Sequence, residues 1–352
     1  MAKPDGLIKA RTLYRRVTGR KYVWLWGASG VLAVAFVANV MIGPSPLSVA
    51  QVVATLLAPT QADAPARAIV WLIRLPAAVA ALVVGAGLGV AGAEMQTILG
   101  NPLASPYTLG ISSAAGFGAA LALVLGVGVI PHAGPLLVPL NAFVFAVLCS
   151  FVVYLTARIK RGAVGTIILT GVALHFMFSA LITLLKYVAT TEALYAVVFW
   201  LFGDLGKVNG VHLAIVGGIL AMALPMLAGS AWPLTALRLG DAKAASLGVD
   251  VPRLRLRVLL LTSLLTATAT CFAGTIGFVG LAAPHIARML VGEEQRFFMP
   301  LAALCGALLL SVASIVGKSV THSMVLPVGI VTSFIGIPFF LSLVLKKRVR
   351  YW

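Results

Sequence analysis

The chain is a succession of apolar runs of about twenty residues, separated by short stretches that carry nearly all of its charge. A helix rises 1.5 Å per residue, so crossing about 30 Å of hydrocarbon takes roughly 20 residues. Ten runs approach that length, near 22–42, 74–98, 107–128, 136–156, 165–187, 211–231, 257–275, 277–292, 300–317 and 326–345. Within a bilayer every backbone N–H and C=O needs an internal partner, which favours helices. The expected fold class is therefore an all-α polytopic membrane protein of about ten transmembrane helices. Composition agrees, because 61% of residues are apolar and only 10% charged, with a mean hydropathy of +1.07. A water-soluble globule carries about 25% charged residues.

A net charge of +17 would suggest a nucleic-acid partner for a soluble protein, but here the basic residues lie between spans and report topology. With the N-terminus in the cytoplasm, 21 of the 26 Lys and Arg fall on that side, in the arm 1–21 and in 158–161, 238–257, 288–296 and 346–350. Only Arg67, Arg74, Lys186, Lys207 and Lys318 fall on or near the outer side. An even number of spans with both termini cytoplasmic follows, since an odd count would spoil this partition. Residues 1–21 read as a basic arm without a signal-peptide layout, and 22–352 as one transmembrane domain. Cys149, Cys271 and Cys305 lie in apolar runs at separations that match no metal or redox motif.

Three segments do not span. Residues 43–73 begin with Pro44 and Pro46 and read as an outer loop with one surface helix. Residues 187–210 form a second outer loop, where Phe199, Trp200 and Phe202 suit an interfacial helix. Residues 232–256 are an internal loop, read as one short helix over Pro233–Leu247, a break at Gly248 and a return to the membrane after Pro252. Leu237, Leu239 and Leu247 offer an apolar side opposite Arg238, Asp241, Lys243 and Ser246. Such a helix can dock in the groove of a soluble partner; a plain connector is the alternative.

Polar groups inside the spans are few. Glu94 would cost about 2.5–3.5 kcal/mol if charged at the membrane centre, which places it near the inner end of its span or leaves it protonated. It is a candidate for hydrogen-bonded packing, proton coupling or substrate contact. His175 can face a conduit, but a lone histidine makes no metal site. Gln96 and Asn101 are expected to satisfy backbone groups around Pro102, His285 a carbonyl freed by Pro284, and Lys318 to end its span in water. The 35 glycines exceed the usual 7% or so and cluster at Gly85, Gly87, Gly89 and Gly92, where small residues let helices approach closely. There is no Gly-rich phosphate loop ending in Lys-Ser/Thr, no HExxH and no Gly-x-Ser-x-Gly. Catalysis and a resident metal or cofactor are not expected. A transporter that concentrates a scarce solute must then borrow its energy, most naturally from an ATPase.

Eight ordered segments carry a resemblance: RLP at 74–76, AG followed by Q at 91–96, NPLASP with LG at 101–110, LTGVAL at 169–174, FWLFGDL at 199–205, LGDAKAASLGV at 239–249, GFVGLAAPHIAR at 277–288 and LPVGIVTSFIGIPFF at 326–340. From Arg74 to Lys347 the chain resembles the FecCD-type permeases of ABC importers for iron-siderophores, haem and cobalamin. The resemblance implies ten helices, pairing with a second permease subunit, identical or paralogous, and two cytoplasmic ATPase subunits that hold ATP and Mg. It also implies a periplasmic or lipid-anchored substrate-binding protein and a place in the bacterial inner membrane. Carried over, Leu239, Gly240, Asp241, Ala245, Leu247 and Gly248 form the loop that presses into the ATPase, with Asp241 where Glu is usual. Arg74 and Lys318 match basic positions that meet the binding protein, and the fifth and tenth spans would line the pathway, with Val164, Gly165 and Thr166 near an inner gate.

The chain also departs from the family pattern. Ala77 stands where a second Arg is common, Ser314 where Asp is common, and Val325 where Glu is common. A non-identical partner permease would supply the missing charges. The cargo expected is a ferric siderophore, with haem, cobalamin or an oxyanion as alternatives. The rival from another class is a proton-coupled secondary transporter using Glu94 and His175.

Overall fold

The computed structural model describes residues 4–130, 134–320 and 324–345; the basic 346–350 segment lies outside them. The first helix, α1 (Pro4–Met41), takes in most of the basic arm and the first span without a break. Next comes α2 (Val49–Leu57), which starts at a capping box: Gln51 N–H donates to Ser48 Oγ at 3.3 Å, and Ser48 N–H to Gln51 Oε1 at 2.8 Å. This satisfies two of the donors that every helix start leaves orphaned. The following helix begins earlier than the expected 74, as α3 (Ala64–Ala68), and reaches α4 (Leu75–Leu99) through a π-type turn, Ile69–Arg74. That turn ends just before Pro76, which cannot donate to the ordinary ladder and forces a local rearrangement.

The remaining helices are α5 (Ile111–Leu125), α6 (Leu137–Ile159), α7 (Val164–Val188), α8 (Thr191–Leu201), α9 (Gly210–Ala228), α10 (Ala231–Leu237), α11 (Asp241–Ser246), α12 (Val251–Ala273), α13 (Val279–Val291), α14 (Gln295–Ser319) and α15 (Val328–Leu345). No strand occurs among the described residues. Each expected span coincides with a helix. Seven are long and apolar enough to cross a membrane, while α5, α13 and α15 offer shorter apolar stretches. The loop at 232–256 holds two short helices where one was expected, because Gly240 takes φ +96° and stops α10 before α11 can begin. In the loop at 187–210, α8 does not lie free: Trp200 is buried, and a Cβ on Gly116 of α5 would meet Leu201 and Ile182.

Hydrogen bonds fix the directions of the helices. Lys21 reaches Glu294 at 2.8 Å, whereas Lys318 reaches the Asn39 side chain at 2.7 Å, so α1 and α14 run side by side in the same sense. Between these ends α4 runs the other way, from Arg74 beside Met41 to Thr97 beside Gln295. One end of the bundle thus collects the loops at 160–163, 238–250 and 292–296, and is called the basic end below.

Glycines bring the central backbones together. Cβ atoms on Gly85, Gly89 and Gly92 would strike the carbonyls of Gly306, Ala302 and Gly280, so α4 touches α14 and α13 main chain to main chain. In lipid no hydrophobic force favours helix association, so such close packing and its dispersion energy must supply it. Gly87 meets nothing within 4 Å. Gly92→Val should therefore lower the melting temperature in detergent sharply or abolish the monodisperse peak on size exclusion, since overpacking costs about 1–3 kcal/mol or more, while Gly87→Val leaves both near wild type.

Candidate functional site

Four segments leave helical conformation inside the bundle and meet. Gly280, at the start of α13, lies beside the Leu88 carbonyl and Gly92 Cα, seven residues or about 10 Å short of the end of α4. The 274–278 segment thus lies within the bundle and α13 is a half-length helix. Gly110, ahead of α5, sits against the backbone of Gly171 and His175 in α7, also inside. Residues 202–204 are pinned between them: Asp204 N–H donates to the Ala273 carbonyl at 2.8 Å, and Gly329 N–H at the start of α15 donates to the Phe202 carbonyl at 3.0 Å. Thr275 Oγ1 donates to the Leu201 carbonyl. Backbone outside regular structure is tolerated at membrane depth only where protein buries it or water reaches it.

These breaks enclose a cleft of about 670 Å³. Its Ser and Thr hydroxyls are Ser105, Thr108, Ser112, Thr266, Thr275 and Ser333, and its rings Tyr107, Phe202, Phe278 and Phe334; among the described residues no charged side chain lines it. Phe278 takes φ +64°, an uncommon conformation for an aromatic residue, and Gly336 has no side chain because a Cβ there would overlap the Phe278 ring. A second cleft of about 270 Å³ shares Tyr107, Ser112, Leu201 and Thr275, and adds Ser113, Ser179, Thr183 and Lys186. The tenth span, α15, borders the first cleft and the fifth, α7, the second. The cleft hydroxyls were not singled out in the sequence; their signal, Ser and Thr on otherwise apolar helices and at breaks, is shared with ordinary helix packing.

At the basic end, Gly240 (φ +96°) and Gly248 (φ +86°) bracket α11. Gly248 N–H donates to Ala245 O at 2.9 Å and Val249 N–H to Ala244 O at 3.1 Å, closing α11 as a Schellman motif. Ala244 is buried beneath it, while Leu239, Ala245 and Leu247 face outward. Leu237, expected on the same apolar side as Leu239 and Leu247, is buried instead. Asp241 forms a two-bond pair with Arg255 at 2.7 and 2.8 Å. A second network surrounds the 292–296 turn, where Glu293 pairs with Arg238 and Arg288, and Arg288 donates to Gln96 Oε1 at 3.0 Å. Burial would raise the Glu294 carboxyl, but hydrogen bonds from Lys21 and Arg296 outweigh it and hold the group below the ordinary carboxylate range.

The other anticipated residues are distributed as follows. Glu94 is fully buried, and neither oxygen has a hydrogen-bond partner among the described residues, so the expected hydrogen-bonded packing is not seen. His175 bonds Ser113 Oγ at 2.8 Å through Nδ1 and tilts against Tyr107. Neither Glu94 nor His175 lines either cleft. Val164, Gly165 and Thr166 form the first turn of α7 at the basic end, and Gly165 is exposed. Arg74 is 3% exposed and donates to the Met41 and Ser45 carbonyls and to Ser45 Oγ. Lys318 is bonded to the carbonyl and side chain of Asn39 rather than free in water. Asn101 accepts from Leu103 N–H at 2.9 Å beside Pro102, as expected; Gln96 also meets a backbone group, but away from Pro102, donating to the Leu281 carbonyl at 3.5 Å while accepting from Arg288.

A multi-span helical bundle with broken helices around a neutral cleft is the architecture of a membrane transport subunit. The FecCD transport family model matches residues 31–346. An ABC transporter permease protein of Methanocaldococcus jannaschii is 40% identical, covering 88% of this chain and 90% of the relative. The hemin transport system permease HmuU of Yersinia pestis is 35% identical over 79% of this chain and 84% of its own, and the vitamin B12 import system permease BtuC of Vibrio vulnificus 37% identical over 78% of this chain and 82% of its own. Among solved structures, an inward-facing metal-chelate type ABC transporter superposes with TM-score 0.79 at 32% identity, over 92% of this chain and 98% of that one. PsaBC from Streptococcus pneumoniae, at 20% identity and TM-score 0.55, shares the fold. The chain belongs to the FecCD transport family and is an ABC transporter permease.

The cleft geometry makes a direct prediction. A cysteine at Ser333 should react with a small hydrophilic maleimide in membranes, whereas native Cys149, Cys271 and Cys305, all buried, stay unlabelled. Equal silence at position 333 would mean that water does not reach the cleft.

Proposed function

We propose that this chain is the transmembrane subunit of an ATP-driven importer for a metal chelate, with a ferric siderophore as the leading cargo. It works as a pair of permease subunits in the bacterial inner membrane, the basic end and both termini facing the cytoplasm. Residues 22–352 act as one transmembrane domain of ten spans behind the basic arm 1–21. Two ATPase subunits dock at the basic end, and a substrate-binding protein delivers cargo at the other end, near Arg74 and Lys318. The chain itself binds no cofactor; ATP and Mg sit on the partners.

The observation that carries this reading is the surface of the 238–250 loop. Its helix α11 is anchored inward by Ala244 and by the Asp241–Arg255 pair, yet Leu239 and Leu247 remain 57% and 51% exposed. Two exposed leucines on a rigid, charged turn fit the groove of a soluble partner better than water. Val164, Gly165 and Thr166 stand at the same end and are the gate candidates. The large, neutral cleft with hydroxyls and aromatic rings favours a bulky amphipathic cargo over a small ion; hemin and vitamin B12, for which two relatives are named, are of that kind. A wall without fixed charge lets cargo pass without holding it tightly.

Reconstitution tests this directly. Proteoliposomes holding this chain, its ATPase and its binding protein should accumulate a ferric hydroxamate siderophore only with ATP, with haem and cobalamin as parallel cargoes. Gly240→Val, which forces a branched side chain into φ +96°, should cut uptake at least tenfold while the protein still inserts. Uptake by this chain alone under a proton gradient would overturn the reading in favour of the secondary transporter.

A further inference from the structure

In the sequence Arg255 is one of five basic residues in the 238–257 segment. It occupies the buried stripe of α12, in register with Val251, Val258, Leu259 and Thr262, and its side chain is 8% exposed. A charge in that setting must have every donor satisfied. Its partners come from three different elements. Nε donates to the Ile98 carbonyl in the last turn of α4 at 2.8 Å, Nη1 to the Gly162 carbonyl at 3.3 Å, and Nη1 and Nη2 to the two Asp241 oxygens of α11.

Each partner suits the guanidinium for a separate reason. Ile98 O belongs to the final turn of α4, where carbonyls lack helical partners and the helix dipole is negative. Gly162 closes the turn between α6 and α7; it takes φ +76°, and a Cβ would lie 3.5 Å from Pro252 Cα, so the turn rests directly on the start of α12. Asp241 offers the planar two-oxygen face that a guanidinium, but not an ammonium, can grip with two parallel bonds. The asymmetry of burial matters too: Asp241 is 57% exposed while Arg255 lies beneath it. A push on α11 therefore meets the acid first and is passed to a rigid buried group.

Resting on the coupling role assigned above to the 238–250 loop, we propose that Arg255 is a positioning residue: the joint that transmits movement of α11 at once to the inner end of α4, hence to the 101–110 break that walls the cleft, and to the 160–163 turn that begins α7 and its gate. Both the cleft and the gate then answer to one displacement. Lysine in its place would keep the charge and lose the fork, leaving at least one of the three elements unattached.

The test uses the whole assembled transporter in proteoliposomes and reads cargo taken up per ATP hydrolysed, alongside a spin label at Gly165→Cys. Arg255→Met, which changes no residue of the docking surface, should co-purify with the ATPase and hydrolyse ATP; it and Asp241→Asn should each lose tenfold or more in uptake per ATP hydrolysed, and the label should stop responding to ATP. The double variant should be no worse than either single one, because both cut the same link. Asp241→Glu, which restores a carboxylate, should return uptake per ATP to within twofold of wild type, a rescue that a general loss of stability would not give. Should Arg255→Met fail to fold, Arg255→Lys and Asp241→Asn carry the same readouts. Wild-type uptake per ATP in Asp241→Asn, or additive losses in the double variant, would overturn the joint while leaving the importer reading intact. Absence of ATP-driven uptake by the wild type would instead overturn that reading and the joint with it.

Discussion

A peptide group at membrane depth needs a partner within the protein or water in a cavity, and several groups at the helix breaks inside this bundle find theirs in one another. The breaks serve one another. Residue 204 closes on the end of α12, residue 329 on residue 202, and Thr275 on residue 201. At the far end, Leu326 N–H closes on the Gly317 carbonyl at 2.9 Å. The cleft is the space these mutually bonded breaks leave, which is why its wall mixes backbone, hydroxyls and rings. A bundle of ten unbroken helices would pack the same sequence volume without such a chamber.

The close approach of α4 to α13 and α14 makes that arrangement stable enough to hold an opening. With glycine facing glycine or alanine, the three helices form a dense spine, and flanking elements can then be shorter or looser. The two ends of this spine differ in chemistry. At the far end the cations Arg74 and Lys318 are bonded to neutral oxygens of Met41, Ser45 and Asn39. At the basic end they are paired with acids, Arg238 and Arg288 with Glu293 and Arg255 with Asp241. In each pair the arginine is largely buried and its acid partly exposed, so the basic end is held as a connected body to which a force can be applied.

Much of the helical order was legible from the sequence, because apolar run length and the basic loops are set by the bilayer and not by tertiary detail. The Asn101–Pro102 turn and the Gly248 stop were legible for a similarly local reason. What escaped was decided at a distance. The 64–74 helix escaped because Asp63 and Pro65, which open it, suit a turn as well as a helix start, and the π turn before Pro76 has no signature in the sequence. The split at Gly240 was missed because a glycine within a helical pattern announces its φ only once its neighbours are placed. Arg255 left one trace: a charge on the apolar stripe of α12, four residues from Val251 and three from Val258. Arg74, assigned to the outer surface by resemblance, turned inward because the segment after α1 folds over it, a contact thirty residues apart in sequence.

In the proposed importer the loop at Asp241 is pressed by a separate ATPase, and site-directed photocrosslinking in the assembled complex tests that contact itself. A photoreactive residue at Lys243, on the exposed face of α11, should crosslink to the ATPase subunit and do so in an ATP-dependent way. Crosslinks only to lipid or to this chain, with the ATPase present and active, would contradict the account.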